Sequence, residues 1–120
     1  MGSANRHSIE TAIVAPDTAV IRFQGYLGQE AGEELMRVAE PLLRGGHIRL
    51  AVGISRCPAI ASPGVAWLIE LMERVTGDFA GGLVFFGLDK SQIELLTFME
   101  ILTQVPHAPS EAAALDLLRS

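Results

Sequence analysis

The sequence predicts a single α/β domain with a sheet that is at least partly parallel. From the second strand onward, strand-like and helix-like segments alternate along the chain, a pattern typical of strands joined by helical crossovers. The run IRLAVGI, Ile48–Ile54, is almost continuously apolar, which suits a strand covered on both faces. The chain has 120 residues and is 49% hydrophobic, enough to form one core. We therefore expect a mixed four- to five-stranded sheet packed with about four helices.

The strands are predicted from short apolar or alternating runs that end at turn residues. We predict extended segments at Ile9–Val14, Ala19–Gln24, Ile48–Ile54, from Gly81 in GGLVFFGL, and near Val105. The first two flank the turn APDT. Residues 1–8 are expected to be loosely ordered, so that the domain spans residues 9–120.

The helices are predicted from apolar residues that recur at helical spacing. We predict a helix that contains Leu35–Leu43, one from Pro63 to about Thr76, one from Ser91 to Leu102, and one that is opened by Ser110 and runs to Leu118. Pro41 lies on the polar side of the first helix and is expected to kink it. The stretch Ser91-Gln92-Ile93-Glu94 fits a capping box, which marks the expected start of the third helix.

Charge and cysteine content exclude several classes of protein. The net charge is −5 and the nine Lys and Arg residues are scattered, which argues against a nucleic-acid binder. The single cysteine, Cys57, excludes an internal disulfide and indicates a reducing compartment. The first ten residues lack the apolar stretch of a signal peptide, and no run approaches the ~18 apolar residues of a membrane span. We expect a cytoplasmic protein with no membrane span.

The sequence also lacks the residue patterns of common catalytic and cofactor sites. The three histidines, His7, His47 and His107, stand far apart, without a Cys or His neighbour at metal-ligand spacing. Ser62 has no glycine two residues before it, and no Gly-rich stretch has the form of a phosphate loop. Cys57 lies in an apolar stretch and is expected to be buried. We expect no metal, no cofactor and no catalysis; an enzyme or small-ligand receptor is the weakest hypothesis.

Four stretches of the chain follow one another in the order of one known family. IRFQGYLGQEAGEELMRVAEPLL resembles its strand, Gly-x-Leu-x turn and first helix, and IRLAVGISRCPAIASPGVAWLIELMERV resembles its central strand, serine loop and second helix. GGLVFFGLDKSQIELLTFMEIL and PSEAAALDLL are similar to its later strand and helices. On these motifs, from about Ile13 to Leu118, the chain resembles the STAS domain family, the anti-sigma-factor antagonists and their relatives.

The resemblance implies a STAS-like fold and a non-catalytic module that binds a regulatory protein. That partner would be an anti-sigma-factor kinase or a related switch protein, and a homodimer is left open. Regulated members carry Asp-Ser-Ser/Thr-Gly in the serine loop, and the partner kinase phosphorylates the first Ser. The matching stretch here is Ala61-Ser62-Pro63-Gly64, so the resemblance implies that Ser62 is the phosphorylation candidate.

The chain departs from the family pattern at its acidic positions. Ala61 replaces the loop acid, and Pro63 replaces the second hydroxyl residue. Gly53 in the central strand and Gly28 in the upstream turn stand where the family has two further acids. These departures favour an alternative function, an architectural subunit of a stressosome-like or lipid-transport complex that is never phosphorylated.

Ser62 has two interpretations that the sequence leaves open. Serine is among the best N-cap residues and proline is favoured at the first helical position, so Ser62 is predicted to cap the second helix. Alternatively, Ser62 is a switch, because a phosphate there would sit at the positive end of the helix dipole. Both interpretations place Ser62 at the N-terminus of the second helix.

The second helix is also predicted to carry a docking surface. The stripe Val65–Val75 faces the sheet at helical spacing, whereas Trp67 falls outside it. Tryptophan is enriched at binding hot spots, so we predict an interface there; the alternative is that Trp67 covers an edge of the sheet. The residues predicted to bind a partner are Ser62, Pro63, Gly64, Trp67, Leu71, Gly25, Tyr26, Leu27 and Gly28.

Overall fold

The structure, a computed structural model, describes residues 6–119 and contains one mixed five-stranded sheet with the strand order β1-β2-β3-β4-β5. The strands are β1 (His7–Ala15), β2 (Thr18–Gly25), β3 (Arg49–Arg56), β4 (Gly82–Phe86) and β5 (His107–Ala108). β1 and β2 form an antiparallel hairpin, and each later strand pairs in parallel with the one before it. The predicted α/β architecture is confirmed.

Helices connect the parallel strands. The α-helices are α1 (Gln29–Arg44), α2 (Ser62–Glu73), α3 (Lys90–Phe98) and α4 (Glu111–Arg119). A π-helical turn, Arg74–Asp78, continues α2. Pro41 lies inside α1, which continues past it as a single helix to Arg44. The third helix is shorter than predicted, since it ends at Phe98 and not at Leu102.

The two faces of the sheet are covered unequally. α1, α2 and α3 pack on one face and enclose the larger core, to which β3 contributes Leu50, Val52 and Ile54. α4 packs on the opposite face over a smaller cluster that includes Ala51 of β3. Successive residues of β3 therefore enter different cores, as the alternation of side chains along a strand requires. This explains the nearly continuous apolar run in that strand.

Three helices begin at the same end of the sheet. β2 leads into α1, β3 into α2 and β4 into α3, each through a short connection. Because these strands are parallel, their carboxyl ends lie side by side, and we call this end the carboxyl edge. In open α/β sheets, ligands bind beyond the carboxyl ends of the strands. The carboxyl edge is therefore where a functional site is expected.

The amino-terminal strand begins earlier than the sequence predicts. His7 and Ser8 pair with Gly25 and Gln24, so β1 starts two residues before the expected Ile9. The His7 ring stacks near the Phe23 ring at 6.0 Å, and its Nε2 contacts Glu34 Oε1 of α1 at 2.5 Å. The remainder of the segment expected to be loosely ordered, residues 1–5, lies outside the described residues.

Candidate protein-binding site

Two turns at the carboxyl edge are joined by their backbones. The Leu27 N–H donates to the Ala59 carbonyl at 3.1 Å, and the Ala61 N–H donates to the Leu27 carbonyl at 2.9 Å. Leu27 and Ile60 form an isolated parallel bridge. We call Gly25–Gly28 and Cys57–Ala61 the paired turns. The start of α1 and the start of α2 are fixed to each other through them.

Glycines permit this close approach of the two turns. A Cβ atom on Gly64, in the first turn of α2, would lie 2.2 Å from the Leu27 carbonyl oxygen. Gly25 has a φ of +111°, and a Cβ there would lie 2.3 Å from the Arg6 carbonyl oxygen. Only glycine adopts such a conformation without strain. Gly64 and Gly25 therefore shape the backbone of the site, and Gly64 is itself buried.

Ser62 is the first residue of α2 and not its N-cap, so the predicted capping role is wrong. The N-cap is Ala61, which is extended at φ −91° and ψ 164°, and its carbonyl accepts from the Val65 N–H at 3.0 Å. The bond from Ala61 to Leu27 holds Ala61 extended, so the helix begins one residue earlier than the sequence pattern indicates. Alanine has no side-chain acceptor, and α2 starts without a side-chain cap.

The exposed hydroxyl of Ser62 lies in a favourable place for an added anion. It sits in the first turn of a helix of 12 residues, where the dipole places positive potential. The first turn contains no acidic side chain that would oppose a phosphate. Pro63, also exposed, removes one of the N–H donors that such a group would use.

Trp67 is half-buried against α1 and does not project freely into solvent. A Cβ on Gly32 of α1 would lie 2.6 Å from both Cβ and Cδ1 of Trp67, so the indole packs directly over that glycine. The ring borders a shallow groove with Met36 and Pro41 of α1. The prediction that Trp67 lies outside the core is correct, but part of its surface is already used between helices.

A charged cluster ties α1 to α2 beside this groove. Arg74 donates from Nε to Glu40 Oε1 at 2.9 Å and also contacts the second carboxylate oxygen, while Arg44 donates to Glu40 at 2.8 Å. These bonds, from Arg74 first and then Arg44, lower the pKa of Glu40 to about 2 despite partial desolvation. Arg74 also bonds Asp78 at 2.7 Å. The outer surface of α1 and α2 is therefore held as one unit.

Two of the predicted partner-binding side chains lie in the core. Leu27 and Leu71 are each 0% exposed, so neither can contact another protein. Leu71 is buried because α1 packs along the flank of α2, which widens the apolar arc beyond the stripe that faces the sheet. Gly28 is also buried, beneath the half-buried ring of Tyr26, whose Cε2 lies 2.5 Å from the place of a Gly28 Cβ.

The start of α3 contributes contacts that the sequence prediction missed. Asp89 accepts from the Gln92 N–H at 2.8 Å, and the Gln92 side chain accepts from the Asp89 N–H at 3.0 Å. The capping box therefore begins two residues before the predicted Ser91. Gln92 is buried and also donates to the Cys57 carbonyl at 2.7 Å, which anchors the second of the paired turns. The spacing from Asp89 to Gln92 is the signal that could have identified it.

The thiol of Cys57 is buried, as predicted, and is a poor nucleophile. It donates to the Ala59 carbonyl at 3.3 Å, and burial raises its pKa. Within residues 6–119, no three His, Cys, Asp or Glu side chains are grouped to hold a metal ion. No helix of that same part of the chain is long and apolar enough to cross a membrane.

Comparison with solved structures relates this architecture to known proteins, although no protein-family model and no curated protein matches the sequence. The anti-sigma factor antagonist SpoIIAA in its unphosphorylated form superposes with a TM-score of 0.78 at 21% identity, over 93% of this chain and 96% of that one. SpoIIAA of Bacillus in the phosphorylated form gives 0.73 at 21%, over 93% and 100%. An anti-sigma factor antagonist from Mycobacterium paratuberculosis gives 0.82 at 13%, over 97% of both chains.

These likenesses extend over nearly the whole described domain, at identities that establish the fold alone. The resemblance seen in the sequence motifs is confirmed at that level. The chain has the fold of the STAS-type anti-sigma-factor antagonist domain.

Proposed function

We propose that this chain is a cytoplasmic, non-catalytic interaction module of the anti-sigma-factor antagonist type. It binds a regulatory protein, an anti-sigma-factor kinase or a related switch protein, through the paired turns and the start of α2. The observation that carries the proposal is the exposed Ser62 in the first turn of an uncapped helix at the carboxyl edge. The Ser62 hydroxyl makes no capping hydrogen bond, so the helix start does not depend on it.

Phosphorylation of Ser62 would act as the switch in this proposal. A phosphate adds about two negative charges at neutral pH and would be stabilised by the helix dipole, so the fold would tolerate it. The same charge would face any apolar atoms that a partner places on Pro63 and the half-buried rings of Tyr26 and Trp67. Support comes from the fold, which SpoIIAA shares and which has been solved in both an unphosphorylated and a phosphorylated form.

Mass spectrometry of the protein from its native cells tests the modification directly. A phosphate on Ser62 is the expected result. Affinity capture from native lysate then compares the wild type with Ser62→Ala and Ser62→Asp. We expect Ser62→Ala to retain its partner and Ser62→Asp to lose it. Equal recovery of the same partners by all three proteins would contradict a role for Ser62 at the interface.

Trp67 needs a separate control because its side chain packs on α1. Trp67→Ala is expected to weaken partner binding by roughly 2 kcal/mol, the usual size for a hot-spot residue. Unfolding of the isolated variant must be measured in parallel, since loss of the contact with Gly32 also reduces stability. Weaker binding that merely follows the unfolded fraction would remove Trp67 from the interface.

The second candidate function, an architectural subunit without phosphorylation, is favoured by a specific observation. Two positions where family members carry acids are covered here by aromatic rings. The Phe86 ring lies over Gly53, with Cζ 2.3 Å from the place of a Cβ, and Tyr26 covers Gly28 in the same way. Unmodified Ser62 in native cells, together with unchanged partner recovery by Ser62→Asp, would favour this candidate over the first.

A further inference from the structure

The sheet face that carries α4 is left uncovered near the carboxyl edge. Under α4, the strand residues on this face are the buried Val20, Ala51 and Val84. Nearer the carboxyl edge, the residues of β2 and β3 that point to the same face include polar side chains. The uncovered part forms a cavity of about 630 Å³, which lies within the usual size range of small-molecule sites. Its polar lining consists of Ser8, Glu10, Arg22, Gln24, Ser55, Arg56 and Glu111.

The floor of the cavity is aromatic. Gly53 and Phe86 are register partners in neighbouring strands, and the Phe86 ring lies across Gly53 with Cζ, Cε1 and Cε2 within 2.9 Å of the place of a Cβ. Any larger residue at Gly53 would displace this ring. Phe86 is only 6% exposed, so a small apolar part of this ring borders the base of an otherwise polar recess.

One wall is a rigid ion pair that is already satisfied. Arg22 of β2 donates from Nε and Nη2 to the two carboxylate oxygens of Glu111 at 2.8 and 2.9 Å. This two-bond contact joins the sheet to the first turn of α4. Glu10 Oε1 also lies 3.8 Å from Arg22 Nη1, so Arg22 is shared by two carboxylates and supplies no free cation to the cavity.

The wall formed by the end of β3 supplies Arg56, which no carboxylate of the described residues pairs, in a cavity whose lining has two acidic and two basic side chains. Within residues 6–119, the basic residues that form no ion pair are Arg6, Arg37, Arg56 and Lys90. Arg56 lines the cavity, and together with Arg6 it also lines the adjoining groove. One of these four unpaired cations therefore lies in the recess, and a second lies in the groove beside it.

Two hydroxyl groups line the cavity together with Arg56. Gln24 donates from Nε2 to Ser8 Oγ at 3.0 Å, which leaves the Ser8 hydroxyl proton available to another acceptor. Ser55 is exposed at the same wall and adds a second hydroxyl. A guanidinium with neighbouring O–H donors is a suitable set of groups for a phosphate or carboxylate.

We propose that this cavity is a binding site for a small organic anion. The phosphate or carboxylate group of the ligand pairs with Arg56 and accepts from Ser8 and Ser55, while an apolar part contacts the small exposed part of Phe86. The site is on the sheet face opposite α2, and it requires neither phosphorylation of Ser62 nor a protein partner.

Amide NMR titration of the intact chain with phenyl phosphate tests the proposal. The measurements are made at about 0.15 M salt, where the repulsion by the net negative charge is screened beyond about 8 Å. We expect saturable shifts of the amides of Ser8, Gln24, Ser55 and Arg56, with a Kd in the range of roughly 1 mM for so small a probe. Shifts that do not saturate, or that spread over the whole surface, would overturn the site.

Variants and related probes separate the parts of the proposal. Arg56→Gln is expected to weaken phenyl phosphate at least about fivefold, whereas Arg37→Gln, which removes an unpaired arginine of α1, leaves it unchanged. Equal effects of the two variants would overturn the assignment to Arg56. Benzoate tests whether a carboxylate suffices, and neutral phenol should not bind. If inorganic phosphate binds as tightly as phenyl phosphate, the apolar contact with Phe86 is wrong.

Discussion

The helices α2 and α3 begin side by side at the carboxyl edge but are started in different ways. α3 begins with a complete capping box, in which Asp89 and Gln92 satisfy each other's backbone N–H groups. α2 begins at Ala61 with no side-chain cap, and its position is set by backbone contacts of Ala61 and Gly64 with Leu27. At the start of α3, side chains bond backbone N–H groups, whereas at the start of α2 no side chain does so.

This difference separates a structural helix start from one that can bind another molecule. Capping side chains at α3 occupy the N–H groups that an incoming anion or partner would use. At α2 no side chain caps the helix beside the exposed Ser62, and glycine contacts replace the cap as the source of order. The following predictions test whether the two starts are stabilised in these two ways.

Substitution of Gly64 by alanine should have the largest effect. The added Cβ would lie 2.2 Å from the Leu27 carbonyl oxygen, a backbone atom that cannot move without separating the paired turns. We expect the free energy of unfolding, measured in urea, to fall by about 3 kcal/mol. The matched control is Gly77→Ala, since a Cβ on Gly77 meets nothing within 4 Å. A loss no larger than that of the control would mean that the contact does not position α2.

Substitution of Asp89 by alanine should come next. It removes the acceptor for the Gln92 N–H and leaves α3 without its cap, so the free energy of unfolding should fall by about 1.5 kcal/mol. Ser91→Ala, at the residue that the sequence pattern marked as the cap, is the control and should change stability little. Equal losses in the two variants would indicate that the start of α3 is not closed by Asp89.

Substitution of Ala61 by aspartate should stabilise the protein. Ala61 already has the extended conformation of an N-cap, so the new carboxylate can accept from the Gly64 N–H, since Pro63 has none. A gain of about 1 kcal/mol in unfolding free energy is expected. Ala66→Asp, on the exposed side of the same helix, provides the comparison and should not stabilise. An Ala61→Asp protein no more stable than wild type would show that the start of α2 is already satisfied.

Substitution of Ser62 by alanine should have the smallest effect. Ser62 is an exposed first-turn residue whose side chain does not cap the helix, so unfolding free energy should change by less than about 0.5 kcal/mol. Chemical denaturation of the two proteins at matched concentration decides the point. A loss near 1 kcal/mol would restore the capping role that the sequence pattern predicted.

The order of the elements could be predicted because it depends on local patterns. Apolar runs and helical spacing identify β3 and the helices, and Ser110 starts α4 as predicted, with its Oγ accepting from the Ala113 N–H at 3.2 Å. The start of α3 was misplaced because two overlapping stretches, from Asp89 and from Ser91, both fit a capping box. The buried bond from Gln92 to Cys57, a contact between distant segments, distinguishes them.

The details of the candidate site depend on contacts that no local pattern encodes. Ser62 fits the sequence pattern of a helix cap, but the bond between Ala61 and Leu27, residues far apart in sequence, moves the helix start. Likewise, the exposure of Trp67 is decided by Gly32 on another helix. Sequence reasoning identified the turns and helix that form this region, but it misplaced the start of α2 and assigned the buried Leu27 and Leu71 to a surface.

The pairing of Leu27 with the loop before α2 also determines where the chain can change in length. An inserted residue in either of the paired turns would shift Leu27 out of register with Ala59 and Ala61. The opposite end of the sheet has no such pairing at the Gly45–Gly46 turn, where Gly46 has open space around it. Insertions and fused peptides should therefore be accepted at the Gly45–Gly46 turn, while both turns at the carboxyl edge must keep their length.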